Sequence, residues 1–217
     1  MYRQGVTPLT CAAVRLVVVC LLVASVLGAC SGKKDDPAID TTTGDTTANT
    51  IAYYRAASPW PLASNQVARM QAVAIEPLKA EGSVVHYHAH LDVFYDGQPV
   101  KVPADVGIDY DAQRISPMHT HYDSGVIHVE ANKDTKFTLG QFLTEWGVQV
   151  RDGCIADKCA DEVAVFVDGS IQDTPAADLV ITPKAEIALV LGSTRPADIP
   201  STYDCKAEAP GDLCPQN

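Results

Sequence analysis

The chain has no aspartate or glutamate before Asp35, and its longest apolar run, Leu16 to Leu27, falls short of the ~20 residues that a membrane-spanning helix needs. Basic residues are scarce as well: 16 Lys and Arg stand against 27 Asp and Glu, a formal charge of −11. Binding to a polyphosphate needs a basic face, so this balance excludes nucleic acid as a partner. It also argues against electrostatic adhesion to anionic lipid. The H-E-x-x-H and G-x-S-x-G arrangements of familiar hydrolases are absent, no convincing nucleophile stands out, and there is no internal repeat.

What the first thirty residues do contain is a positively charged start (Arg3, Arg15), a short apolar stretch and small residues after it. That is the pattern of a signal peptide. Leu27-Gly28-Ala29-Cys30 resembles the lipobox of bacterial lipoproteins. The resemblance implies cleavage before Cys30, acylation of its thiol, and a chain tethered by lipid to the cell envelope, facing the periplasm or the exterior. Ser31 would permit outer-membrane sorting by the same resemblance. An ordinary signal peptide cut near Ala29, or an uncleaved anchor, is the alternative. Arg3 and Arg15 leave with residues 1–29, so the mature chain keeps 14 basic and 27 acidic residues, a formal charge of −13. Such a charge concentrates cations near the surface and keeps the protein soluble.

Seven cysteines divide by position. Cys11 and Cys20 belong to the signal, Cys30 to the lipid, and Cys154, Cys159, Cys205 and Cys214 remain. An even number in an oxidising compartment suggests two disulfides. Short loops close at low entropic cost, which favours 154–159 and 205–214 among three possible pairings. The C-x4-C and C-x8-C spacings suit a four-cysteine zinc site poorly.

Residues 31–50 are polar, rich in Thr and Asp and without apolar periodicity, as expected of a flexible tether, so that 30–60 reads as lipidated cysteine plus tether. Residues 61–217 read as one α+β domain, mainly antiparallel, with two short helices. The first helix is expected near Ser64–Ala74, capped by Ser64 or Asn65 and ended by Glu76-Pro77. Within 84–148 the period changes to two: Val84–Tyr95 and Pro99–Val102 flank the turn Asp96-Gly97, and Met118–His121 and Val126–Glu130 flank 122–125. Thr138–Trp146 places Leu139, Phe142, Leu143 and Trp146 on one helical stripe, with Thr138 as cap and Gly147 as stop. Across 149–192, Val163–Val167 runs into the turn at 168–169, and Glu186–Leu191 is the last strand. A Pro- and Cys-containing tail occupies 193–217. The rhythm of Phe137 to Leu191 resembles half of a β-grasp fold, though without the Gly-Gly tail of its sulfur-carrier branch. It implies a fold class and no sulfur chemistry.

All six histidines fall within 43 consecutive positions: His86, His88, His90, His119, His121 and His128. Along a strand, His86, His88 and His90 point to one face, as do His119 with His121 and His128 with Glu130. A two- or four-residue turn between Met118–His121 and Val126–Glu130 places His119 opposite His128, with Cβ atoms ~5 Å apart. His119, His121, His128 and Glu130 can then converge on one ion. Imidazole suits copper and zinc, and three histidines leave one tetrahedral corner open for water. Glu130 is a candidate ligand, an orienting partner, or a general base. Asp92 continues the parity of the first strand as a further carboxylate. Met118 alternates to the opposite face and reads as core. A cluster that repels itself on protonation, a pH switch, is the other functional option for these residues.

Cupins and carbonic anhydrases also place His-x-His on strands, but neither full pattern is present. From Val84 to Val148 the chain resembles a group of bacterial and archaeal exported proteins with H-x-H-x-H, H-T-H, G-[VI]-I-H-[VI]-E and F-T-L-G-Q-F-x-x-x-W-G-V blocks. Here these are His86–His90, His119–His121, Gly125–Glu130 and Phe137–Val148. The resemblance implies one domain containing both the histidines and the helix, and carries no activity with it. Three roles are compatible with the residues. One is an envelope module holding copper or zinc for storage, delivery or sensing. Another is an enzyme that activates water at a three-histidine site with Glu130 as base. The last is an interaction platform stapled by metal, with an unknown protein partner.

Overall fold

Side-chain alternation along one long strand, Val85–Tyr95 (β1), organises the molecule. Ala89, Leu91, Val93 and Tyr95 are buried on one face, while His86, His88, His90 and Asp92 point to the other. The computed structural model describes residues 39–40 and 51–208. The expected signal peptide, Cys30, most of the expected tether and Cys214 lie outside the described residues; Ile39–Asp40, within that tether, pairs with Tyr53–Tyr54.

β1 sits at the centre of a seven-stranded sheet. Its other members are Gln98–Val100 (β2), Met118–His119 (β3), Val126–Ala131 (β4), Val163–Val167 (β5), Ser170–Ile171 (β6) and Glu186–Leu191 (β7). The order is β6-β5-β7-β1-β4-β3, with β2 also bonded to β1. Only β7 and β1 run parallel; the remaining pairs are antiparallel. Both Asp-Gly turns form as expected, with positive φ at both residues (48° and 80° at 96–97, 51° and 76° at 168–169). Those values belong to the two-residue turn whose twist matches the flanking strands.

The core face of the sheet is covered by two helices, Gln66–Ala72 (α1) and Leu139–Trp146 (α2). Leu139, Phe142, Leu143 and Trp146 are fully buried, together with Met118, Ile127, Val129, Ile187 and Leu189 from the strands. Thr138 and Gln141 close a reciprocal capping box at the start of α2, and Gly147 ends the helix with φ 110°. α1 is shorter than its periodicity suggests, and its expected cap is not made. Asn65 occupies the cap position in a left-handed conformation with no side-chain hydrogen bond. Gln66 anchors the first turn instead, donating to the Ala63 carbonyl and accepting from the Gly107 amide.

The opposite face is divided. Toward β5 it carries a small apolar group, Phe166, Ala188 and Val190, with Phe94, Ala164 and Ile199 against it. Toward β3 it carries histidines. Residues 137–191 follow the expected order of helix, strand, turn and strand, and β7 joins the histidine strands in one sheet by pairing with β1. The Cys154–Cys159 disulfide is present, closing a hairpin in which the two residues face each other. The 205–214 pairing lies outside the described residues because Cys214 does. Among the described residues no helix is long and apolar enough to cross a membrane.

Candidate metal centre

Register decides which side chains meet. Between β1 and β4, His86 pairs with Glu130 and His88 with His128; between β4 and β3, His128 pairs with His119. The expected His119–His128 opposition is therefore present, and Met118 is in the core as expected. β3 ends at His119, so His121 lies past the strand rather than in it. Its ring nonetheless packs edge-on to His119 and His128, with centroids 4.8 and 4.7 Å away.

The donor atoms are close. His88 Nε2 lies 3.0 Å from His128 Nδ1, and His119 Nε2 lies 3.2 Å from His121 Nε2. Glu130 Oε1 is 3.2 Å from His86 Nε2 and 3.4 Å from His128 Nδ1. Around a tetrahedral ion with metal–nitrogen bonds of ~2.0–2.1 Å, neighbouring donors stand ~3.3 Å apart. The observed separations match that spacing. Two sets of side chains can hold an ion here: His86, His88, His128 and Glu130, and His119, His121 and His128. A third, overlapping set adds Glu81 to His119 and Glu130.

The protonation states suit ligation. His119 Nδ1 is 2.9 Å from the Ser116 carbonyl. A carbonyl only accepts, so the proton sits on Nδ1, and the Nε2 lone pair faces His121. Burial, reinforced by the neighbouring His128 and His121, lowers the His119 pKa to about 3. The ring is therefore neutral, as a metal ligand must be. Burial pushes the Glu130 carboxyl up, but the hydrogen bond from His128 and the charges of His119, His86 and His128 outweigh it and bring the pKa down to about 2. Glu130 is thus an anion inside a ring of imidazoles.

Behind His119 a short chain of contacts runs into the core. Ser116 Oγ donates to Glu145 Oε1 at 2.8 Å and accepts from the Met118 amide at 3.1 Å. These bonds fix the carbonyl that orients His119. Glu145 lies on α2, is fully buried, and has no partner for Oε2. Burial raises its pKa to about 8, against a smaller opposing effect of the Ser116 hydrogen bond. Glu145 is therefore a neutral acid at pH 7.

His90 shares the face but joins a different group. Its Nδ1 is 3.0 Å from Glu186 Oε2 and 3.7 Å from Asp92 Oδ2, and its Nε2 is 2.8 Å from the Ser124 carbonyl. The ring also stacks on Tyr203 from the tail. The Asp92 expectation is met in part, with Asp92 beside His90 only. His90, Asp92 and Glu186 form a separate set able to hold an ion. We expect His90→Ala to change metal affinity at the main cluster by less than about threefold. It should lower stability by about 3 kcal/mol, the low end for a broken buried pair, because Glu186 is already raised by burial and can take a proton. Metal titration and urea unfolding of the same variant check both halves.

Two acidic residues near the histidines were not singled out by the sequence pattern. Glu186 reaches His90 through the parallel β7–β1 pairing, which joins residues 96 positions apart. Glu81 Oε1 lies 3.4 Å from His121 Nε2. It is delivered by Gly82, where a Cβ would sit 2.2 Å from the Ala131 backbone, so only glycine allows the loop to lie against β4. The tail adds Cys205, whose Sγ is 4.0 Å from His88 Nδ1. That sulfur is disulfide-bonded and offers no thiolate to an ion.

No family model, no curated protein and no solved structure matches the chain.

Proposed function

We propose that this is a lipid-anchored protein of the cell envelope that binds a transition metal, copper or zinc, through the histidine cluster, for storage, delivery or sensing. The observation that carries the reading is the convergence of His86, His88, His119, His121, His128 and Glu130 from three adjacent strands and the loop after β3, at donor separations near 3 Å. The anchor rests on the resemblance of Leu27–Cys30 to a lipobox. Copper and zinc rest on the donor set, which is dominated by imidazole. Cu(II) leads by intrinsic affinity at nitrogen donors, and availability decides in the cell.

The test is metal content of the tag-free full-length chain by plasma mass spectrometry, beside a His86/His88/His119/His121→Ala variant. We expect near-stoichiometric copper or zinc in the wild type and less than about a tenth of that in the variant, since four imidazole ligands go at once. A wild-type protein that stays metal-free after dialysis against both ions would sink the reading and leave a pH-responsive or structural surface in its place.

A further inference from the structure

We propose that the cluster holds two metal ions side by side, one in each half, with the Glu130 carboxylate shared between them and the single lone pair of His128 given to the ion beside His86 and His88; this rests on the metal-binding reading above. Seven side chains supply donors: His86, His88, His119, His121, His128, Glu130 and Glu81. A tetrahedral zinc or copper site takes four. An ion with bonds of ~2.1 Å cannot join donors much more than ~4.2 Å apart, the span of two ligands on opposite sides. Even at a looser limit of 4.8 Å the seven do not form one group. They fall into three, and the groups overlap only through His128, Glu130 and His119.

The overlaps mark the seam. His86 and His88 lie on β1 and meet the cluster through Glu130 Oε1 and His128 Nδ1. His119, His121 and Glu81 lie on the other side, joined to each other at 3.2 Å and 3.4 Å. His128 stands between the halves, its ring edge-on to His88 and stacked on His119. Glu130 belongs both to a set with His86 and His88 and to one with His119 and Glu81. A carboxylate with two oxygens is suited to span two cations held ~3.5–4 Å apart, as in two-metal sites generally. Two ions can also use all seven donors at ordinary coordination, where one ion would strand three.

The experiment is native mass spectrometry and equilibrium dialysis of the detergent-solubilised full-length chain, stripped with chelator and reloaded with Zn(II), then repeated with Cu(II) and read by electron paramagnetic resonance. The expected result is two ions per wild-type chain, one in His86→Ala/His88→Ala, one in Glu81→Ala/His121→Ala, and two in His90→Ala. The two-Cu(II) form should show a spin-coupled or strongly broadened signal. One ion in the wild type would overturn the two-ion centre and leave metal binding standing; none would overturn both. Two ions in the wild type, with one lost in His90→Ala, would place the second ion with Asp92 and Glu186 and overturn the shared arrangement. A wild-type count of one or none overturns the two-ion centre even where a variant fails to fold, and a count of two is assigned by the His90→Ala protein.

Discussion

Replacing His128 with alanine should abolish the thermal stabilisation that metal confers, while replacing His86 should only weaken it. A ligand that binds the folded state alone stabilises it by about 4 kcal/mol at a free concentration 1,000 times its Kd. For a domain of this size that amounts to about 10 °C in Tm. His128 belongs to both main donor sets, is buried, and lies within 3.4 Å of both His88 and Glu130. Its loss removes a buried ligand at the seam of the two halves and leaves the shared Glu130 anion short of the hydrogen bond that helps hold its pKa down. The expected loss of affinity exceeds the 10–100-fold typical of removing a mere outer partner of a ligand. At a fixed zinc concentration the Tm shift should vanish. His86 stands at the rim, its side chain 42% exposed, where water can take its place. About tenfold weaker binding is expected there, so most of the Tm shift survives. The check is differential scanning calorimetry of both variants with and without zinc, after circular dichroism confirms the apo fold. A His128→Ala protein with the full wild-type shift would show that the ring is a structural neighbour and no ligand.

The difference between these two residues marks where sequence pattern stops being informative. Period-two alternation was enough to put His86, His88 and His90 on one face and Met118 in the core, because side-chain direction on a strand is a local property. The His119–His128 opposition was also legible, since a hairpin turn converts sequence separation into register. Neither rule reaches across non-local pairing. β1 meets β4 and β7 through connections of tens of residues, so the pairs His88–His128 and His90–Glu186 follow from sheet order alone. The same gap makes His90 look equivalent to its neighbours when its ring is held by Glu186 and Ser124. Glu81 depends on a single close approach at Gly82. The helices show a similar division. The cap of α2 is legible in Thr138, whereas α1 replaces the expected cap by a hydrogen bond from the Gly107 amide to the Gln66 side chain, 41 residues away.

Glu145 yields the second large effect, with a sign opposite to the usual one for a carboxylate. The pKa of about 8 in the folded protein stands above the ordinary 4.5. Between those values the unfolded chain has released a proton that the folded protein keeps. Stability must therefore fall as pH rises from 4.5 to 8, and level off above. The total is on the order of 5 kcal/mol for a shift of this size, of which about 4 is reached by pH 8, and the group is fully buried, so no solvent screening reduces it. His119 works in the other direction. Its pKa of about 3, lowered mainly by burial, makes stability rise with pH from 3 to about 6.5, where the unfolded ring finishes releasing its proton. The two slopes oppose each other between pH 4.5 and 6.5, and only the Glu145 slope persists above. Metal-free wild-type protein should therefore be most stable near pH 5–6 and lose stability toward pH 8. Glu145→Gln keeps an acceptor for Ser116 Oγ and removes the ionisation, so its stability should match wild type near pH 4 and exceed it by up to about 4 kcal/mol at pH 8. Urea unfolding in the presence of chelator at pH 4, 6 and 8 measures the gap directly. A gap that grows with pH establishes a buried neutral acid behind His119. A Gln variant less stable than wild type at pH 8 would mean that the carboxylate is ionised there, stabilised by a charge that its present neighbours, Ser116 among them, do not supply.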